Sequence, residues 1–316
     1  PRPAGGPRAR SPPAFAKGVL TPWTTATRAM RPASYAIGYP PAMDQVPVAI
    51  VGAGAAGLTA AIAAGENGGA SVCLLEKNDR PGMKLLISGG GRCNVTTAAS
   101  LRETIAAFGA GGRFLHNSLG RFPPEHIRDW LEEAGVPTHV EMPERKVFPD
   151  SGKARDIVEA LVKRAGAAGV EIRCGTPVTG LCRTADGFLL STPQGDLTTR
   201  RVILTVGGAS YRKTGTTGDA YAWLEALGHR IVPIRPALMP WTVGMDWVRE
   251  LAGLTLEDAE VRLEGADKRE RGGFLFTHQG VSGPAPMNLT RHIPRGSGPP
   301  YRLLLDPFPD EKAEDL

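Results

Sequence analysis

The chain has 316 residues, 41% of them hydrophobic and 22% charged, which is enough to bury a substantial core and excludes a fibrous or wholly disordered protein. Its formal net charge of +5 comes from the first 44 residues, where Arg2, Arg8, Arg10, Lys17, Arg28 and Arg31 face Asp44 alone. The remainder is formally neutral, so no basic footprint for nucleic acid is left in the part that folds, and no nucleic-acid partner is expected.

Residues 1–44 contain nine prolines and no apolar period, and read as a disordered extension. Their Arg-rich, acid-poor composition resembles an organelle transit peptide, but scattered prolines would break an amphipathic helix. Met43 lies just before the first strand, and a natural start there is the simpler expectation.

Residues 46–65 carry no charge, as a membrane span would, but their glycine spacing points elsewhere. A short buried strand at 48–51 leads into Gly52-Ala53-Gly54-Ala55-Ala56-Gly57, then a helical run at 58–64 and a second strand at 71–75 that ends at Glu76. This is the dinucleotide-binding fingerprint: Gly52 for a tight turn, Gly54 for close approach of a pyrophosphate, and Gly57 for helix against strand. The helix start offers unpaired N–H groups to the phosphates. Glu76, nineteen residues past Gly57, sits where an acid accepts hydrogen bonds from ribose hydroxyls, and it disfavours a 2′-phosphate. FAD or NAD is therefore expected ahead of NADP, with Lys77 beside the acid as a further contact.

Soon after, Lys84 leads through Leu85-Leu86-Ile87 into Ser88-Gly89-Gly90-Gly91-Arg92-Cys93-Asn94. Three consecutive glycines carry a large folding entropy, so they imply backbone that turns sharply or presses against something bulky. A second glycine-rich loop so close to the ribose acid favours a cofactor lying extended along the protein, hence FAD. Lys84 and Arg92 are the candidates to neutralise its diphosphate, Arg92 through a bidentate fork. Cys93 has two readings, a thiol made reactive by Arg92 or a packed hydrophobe, and the second is preferred.

Farther on, residues 153–165 have helical spacing and lead into a strand at 170–174. Segments 178–182, 188–191 and 197–199 read as a β-meander turned by Asp186-Gly187 and Gln194-Gly195. A separate strand at 201–208 ends Thr205-Val206-Gly207, where flavoproteins usually carry Ala-Thr-Gly. A third polar, glycine-rich loop at 211–219 precedes a helix at 220–227, with Asp219 as its N-cap or as a cofactor-side group. A composition change at 233–240 suggests a domain boundary, dividing a dinucleotide-binding domain at 45–232 from a second unit at 233–316. In the second unit 251–254, 261–263 and 274–276 fit strands, and 306–310 begins a new helix. His278, in Thr277-His278-Gln279-Gly280, is the candidate proton donor; its alternative role is to shape a turn.

The stretches VAIVGAGAAG, LLEKN, GMKLLISGGGRCNVT, GKARDIVEAL, GGASYRKTGTTGDAY, LGH, PALMP and FTHQGVSGP, in this order, closely resemble the BaiN/RdsA-type NAD(P)/FAD-dependent oxidoreductases, some of which are called aminoacetone-oxidase-like. The resemblance covers about residues 46–290, and KLLISGGGRCN is its most specific part. It implies an α/β fold: a Rossmann-like, two-dinucleotide-binding FAD domain with a β-meander, interrupted by an inserted β-barrel. It implies a flavin reduced by NAD(P)H as transient donor, and a small-molecule substrate. Carried over, Gly52, Gly54, Gly57, Glu76, Lys84, Ser88, Gly89, Gly90, Gly91, Arg92, Cys93 and Asn94 fall on FAD-contacting stretches, and Val178, Thr205 and Gly207 join them as candidate contacts. The loop at 211–219 lies near the flavin in this picture.

Flavoproteins of this type return at their C-terminus to the first domain, and the sequence stops at Asp315-Leu316 without such a segment. The expectation is a truncated chain with an incomplete barrel, either still an oxidoreductase or an inactive remnant of one. A flavoprotein that modifies nucleic acid is a third, less favoured reading. Cys73, Cys93, Cys174 and Cys182 show no metal or disulfide spacing. No metal and no membrane partner are expected, and the cytoplasm is the expected compartment.

Overall fold

The computed structural model describes residues 44–68, 70–293, 296 and 298–311. Residues 1–43 of the extension expected at 1–44, with the proposed start at Met43, lie outside these residues; Asp44, the last of that extension, instead begins the first strand.

Strand β1 (Asp44–Val51) is followed by α1 (Ala55–Gly68), β2 (Val72–Leu75) and a short α2 (Met83–Ile87) that runs into a tight turn, Ser88–Gly91. Next come β3 (Thr96–Thr97), α3 (Leu101–Ala107), α4 (Gly112–Arg121), α5 (Pro124–Glu133), β4 (Thr138–Glu141) and β5 (Lys146–Pro149). Then α6 (Ala154–Ala167), β6 (Val170–Arg173), β7 (Gly180–Arg183), β8 (Phe188–Ser191), β9 (Leu197–Leu204) and α7 (Asp219–Ala226) complete the first part. The last part comprises β10 (Trp241–Thr242), α8 (Asp246–Glu250), β11 (Thr255–Leu263), β12 (Arg269–Thr277), β13 (Gly280–Ser282), α9 (Pro284–Leu289) and β14 (Leu303–Asp306).

The principal sheet has the order β6-β2-β1-β9-β8-β7. β1 runs parallel to both β2 and β9, while β8 is antiparallel to both its neighbours. β2 is buried along its whole length, as a strand covered on both faces must be. Ile50 and Leu74 pack with Leu58, Ile62, Ile157 and Leu161 of α1 and α6 on one face. Ala49, Val51 and Leu75 pack with Leu181, Leu190 and Leu197 on the other. These two apolar layers fix β1 rigidly at the centre of the sheet, and the loop that follows it inherits that rigidity.

The meander and the strand after it, expected as separate elements, share one strand: β9 runs unbroken through Arg200, pairing with β8 at its start and with β1 along its length. A second sheet, β10-β13-β12-β11-β14, is antiparallel, with Phe274, Phe276, Val261 and Leu289 in its core. Two expectations there do not hold. Residues 251–254 form a turn rather than a strand, because Gly253 adopts φ +97° and closes the end of α8 onto β11. Asp306 ends β14 and 307–310 are bends and turns rather than a helix. The helices α3–α5 and the small sheet β3-β5-β4 fall in a stretch for which the sequence reading assigned no elements.

Candidate functional site

The chain forms a cleft of about 370 Å³ where the loops after β1, β2 and β9 meet. These are the carboxyl ends of parallel strands on either side of the central one, where open α/β sheets bind ligands. Each loop is anchored at its root. Gly52 N–H donates to Leu75 O, Thr205 N–H to Val51 O, and Glu76 N–H to Arg173 O.

Gly52 takes φ +99°, and a Cβ there would lie 2.8 Å from the carbonyl oxygen of Thr205. The Thr205 hydroxyl lies 2.9 Å from both Val51 O and Gly52 O, clamping the same turn. The departure from Ala-Thr-Gly at this position thus has a use: the threonine side chain ties β9 to the phosphate-loop turn. Gly57 is pressed against that turn, where a Cβ would lie 1.8 Å from Gly52 O. Gly54, by contrast, meets nothing within 4 Å and faces the cleft.

Among the described residues, the amides of Gly54, Ala55, Ala56 and Gly57 have no acceptor in the protein. They are the orphan donors at the start of the 14-residue helix α1; Gly54, Ala55 and Ala56 line the cleft at the positive end of its dipole, while Gly57 is buried behind them. Open space at Gly54, the unpaired N–H groups of Gly54, Ala55 and Ala56, and Lys84 in the lining fit the diphosphate of an adenine dinucleotide. Lys84 Nζ gives one hydrogen bond to Ser210 O and keeps two donors to spare.

Glu76 lies at the floor of the cleft and is 7% exposed. Its Oε2 accepts from Ala53 N–H at 2.7 Å, and its Oε1 accepts from the Asn78 backbone at 2.9 Å and from Asn78 Nδ2 at 2.6 Å. The acid therefore braces the loop after β1 from beneath as well as facing the cleft. Glu76→Ala leaves three donors unpaired, so it should cost about 1–3 kcal/mol of stability and weaken nucleotide binding less than a block in the phosphate loop would. Thermal melting and flavin titration of the variant measure both effects, and an unchanged melting temperature would count against the brace.

Of the second glycine-rich loop, Ser88 and Asn94 line the cleft, and Gly89, Gly90, Gly91, Arg92 and Cys93 do not. All three glycines are left-handed, with φ of 56°, 69° and 88°, and Gly89 is confined by Phe148 and by the Asn94 amide, each 2.8 Å from a would-be Cβ. Arg92 turns away from the diphosphate position expected for it: its guanidinium stacks 4.1 Å over the Phe148 ring and pairs with Glu141. Cys93 is fully buried in the main core, and burial pushes its thiol pKa up. It packs, and the reactive reading lacks the lowered pKa it needs.

Lys77, Val178, Thr205 and Gly207 line the cleft, as do Ala53, Ala55 and Ala56. His278 sits exposed in the turn joining β12 and β13, outside the lining. Asp219 is not the N-cap of α7, a place held by Gly218; it is the helix's first residue and reaches across to Lys77. The loop at 211–219, placed near the flavin by the resemblance, does reach the cleft through Thr214, Gly215, Thr216 and Asp219, whereas Asn78, Thr176 and Trp223 also face it and were given no role. Only Asn78, two residues past the ribose acid, stood close enough to a recognised motif to have been found.

Comparison with known families decides what this arrangement belongs to. Residues 46–285 match the HI0933-like protein Rossmann domain. The chain belongs to this family. Family members of the BaiN/RdsA type are flavoproteins, and the fold is the Rossmann-like FAD-binding α/β type. The chain is 29% identical over 274 residues to the 3-dehydro-bile acid delta(4,6)-reductase of Clostridium scindens, covering 85% of this chain and 66% of that one. It is 30% identical over 267 residues to the ribosomal RNA dihydrouridine synthase of Escherichia coli, covering 84% of this chain and 65% of the relative. The chain thus spans slightly less than two thirds of the length of either. An open-conformation flavocytochrome c3 fumarate reductase shares the fold at TM-score 0.50 and 22% identity, over 68% of this chain and 47% of the other.

Proposed function

We propose that the protein is a FAD-dependent oxidoreductase that uses NAD(P)H to reduce a small organic acceptor. The observation that carries this reading is the cradle of three unpaired amides at Gly54, Ala55 and Ala56 opening onto a cleft floored by Glu76, in a chain of a flavoprotein family. When bound, FAD supplies the acceptance of a hydride from a nicotinamide and its delivery to the substrate.

The chain's own residues bind and orient. The loop amides and Lys84 hold the diphosphate, Glu76 takes the ribose hydroxyls, and Trp223, Val178 and Leu75 give the cleft apolar walls. His278 stands apart from the cleft in an exposed turn, so this reading assigns no proton transfer to it. Both relatives' names describe adding hydrogen to an unsaturated framework, one a bile acid and the other an RNA base. We therefore take the acceptor to carry a carbon–carbon double bond. The Escherichia coli relative's name favours a second reading, reduction of a pyrimidine within ribosomal RNA. We place the protein in the cytoplasm; among the described residues no helix is long and apolar enough to cross a membrane.

The visible absorption spectrum of the purified chain, before and after adding FAD and then NADH or NADPH, tests the proposal. Flavin bands that co-purify or appear with the protein and bleach with the nicotinamide are expected; a protein that takes up no flavin sinks it. Reoxidation of the bleached flavin by a conjugated enone or by ribosomal RNA separates the two acceptor readings.

A further inference from the structure

The third glycine-rich loop forms a strap across the cleft. From the far side of the fold it reaches the segment after β2 at three places. Lys77 Nζ donates to Asp219 Oδ2 at 2.7 Å and to Thr217 Oγ1 at 2.8 Å, across 142 and 140 residues of chain, and Lys84 Nζ donates to Ser210 O at 3.0 Å. Asn78 Nδ2, itself bound to the ribose acid, reaches toward Thr214 O. Gly215, at φ +91°, lies so close to Asn78 and Lys77 that a Cβ would sit 2.7 Å from Asn78 Nδ2. Thr214, Gly215, Thr216 and Asp219 all line the cleft together with Glu76 and Lys77.

The charges at this end form a set. A lysine immediately after the ribose acid is the kind of side chain that, left free, attracts a phosphate at the adenosine 2′ position. Here Asp219 holds it, and the Lys77 ammonium in turn keeps the Asp219 carboxyl below the usual carboxylate range. The Asp219 carboxylate thus offsets the Lys77 ammonium, leaving Glu76 and Lys84 as the other charged groups of the lining.

We propose that Asp219 is a specificity-determining residue that keeps 2′-phosphorylated adenine nucleotides out of the FAD cleft by neutralising Lys77. This rests on the proposed reading that an adenine dinucleotide occupies the cleft. An enzyme that also meets NADPH as a donor has reason for such a device, since a free Lys77 would draw the donor's adenosine into the flavin's place. Glu76 accounts for only part of the exclusion, because its two oxygens are already committed to the loop amide and to Asn78.

The test is isothermal titration of the full flavin-free chain with ADP-ribose and with its 2′-phosphate, each also tried in competition with FAD. Wild type should bind ADP-ribose and discriminate against the phosphorylated form. Asp219→Asn should shift the affinity ratio toward the 2′-phosphate by about tenfold at low salt, an effect that shrinks as ionic strength rises. Lys77→Gln removes the ammonium that offsets Asp219, which keeps only its hydrogen bond from Thr217, and should shift the ratio the other way, and the double variant should undo most of the gain. If ADP-ribose binds and competes with FAD but the ratio is unmoved in both single variants, the role of Asp219 is wrong while the cofactor reading stands. If ADP-ribose fails to bind wild type at all, the cofactor reading falls and takes this inference with it.

Discussion

Gly54→Val is expected to give a folded protein that purifies without flavin. Gly54 is the one glycine of the phosphate loop whose missing Cβ faces open cleft, with nothing within 4 Å. Its backbone is not left-handed, so a valine meets no conformational penalty there. The added methyls occupy the space a diphosphate needs in order to reach the unpaired amides of Gly54, Ala55 and Ala56. Losing that approach should weaken FAD binding by roughly 100-fold or more, about 3 kcal/mol. The flavin-free forms of variant and wild type should melt together, because a substitution away from packing contacts usually changes stability by no more than ~0.5 kcal/mol. The comparison must be made without flavin, since bound ligand itself raises the wild-type melting point. Unchanged flavin content in Gly54→Val would move the cofactor away from this loop.

The parts of this site that can be read from sequence are those whose spacing is local. Gly52, Gly54, Gly57 and Glu76 are fixed by one strand, one helix start and the end of the next strand, so their chemistry follows from residue offsets alone. The triple glycine was legible as a backbone needing left-handed angles, and φ values of 56°, 69° and 88° agree with that. What presses on it was not legible, because Phe148 arrives from β5, far along the chain. Arg92 shows the same limit: its partner Glu141 lies 49 residues away, and only tertiary pairing chooses that carboxylate over a cofactor phosphate. Asp219 was ambiguous for the same reason, since nothing near it in sequence reveals Lys77. The helices α4 and α5 are ten residues each and amphipathic, so their apolar period was present in the sequence and went unread. β9 was split in two because Arg200 and Arg201 interrupt its apolar residues, yet pairing with β1 carries the strand straight through them.

Gly57→Ala should produce the opposite phenotype to Gly54→Val, a loss of stability with weaker flavin binding as a consequence. One methyl at Gly57 would lie 1.8 Å from Gly52 O, 2.9 Å from Gly52 C and 2.8 Å from Thr205 Oγ1. Two of these neighbours are backbone of a turn already held at φ +99° and tied to Leu75 O, so they cannot swing aside as a flexible side chain would. Relief requires α1 to move off β1, which pulls Leu58, Ala61 and Ile62 away from Ile50 and Leu74 in the main core. Alanine is the better helix former by ~1 kcal/mol, so propensity alone predicts stabilisation, and the sign of the result decides between the two effects. Overpacking of a tight core costs about 1–3 kcal/mol where neighbours can yield and more where they are backbone, so the net change should be destabilising by roughly 2 kcal/mol or more. For a domain of this size that lowers the melting temperature by at least ~4–8 °C, measured on the flavin-free protein. A Gly57→Ala variant as stable as wild type would mean that α1 does not sit against the Gly52 turn at this distance, and the amides would then lack the fixed direction on which the cofactor cradle depends.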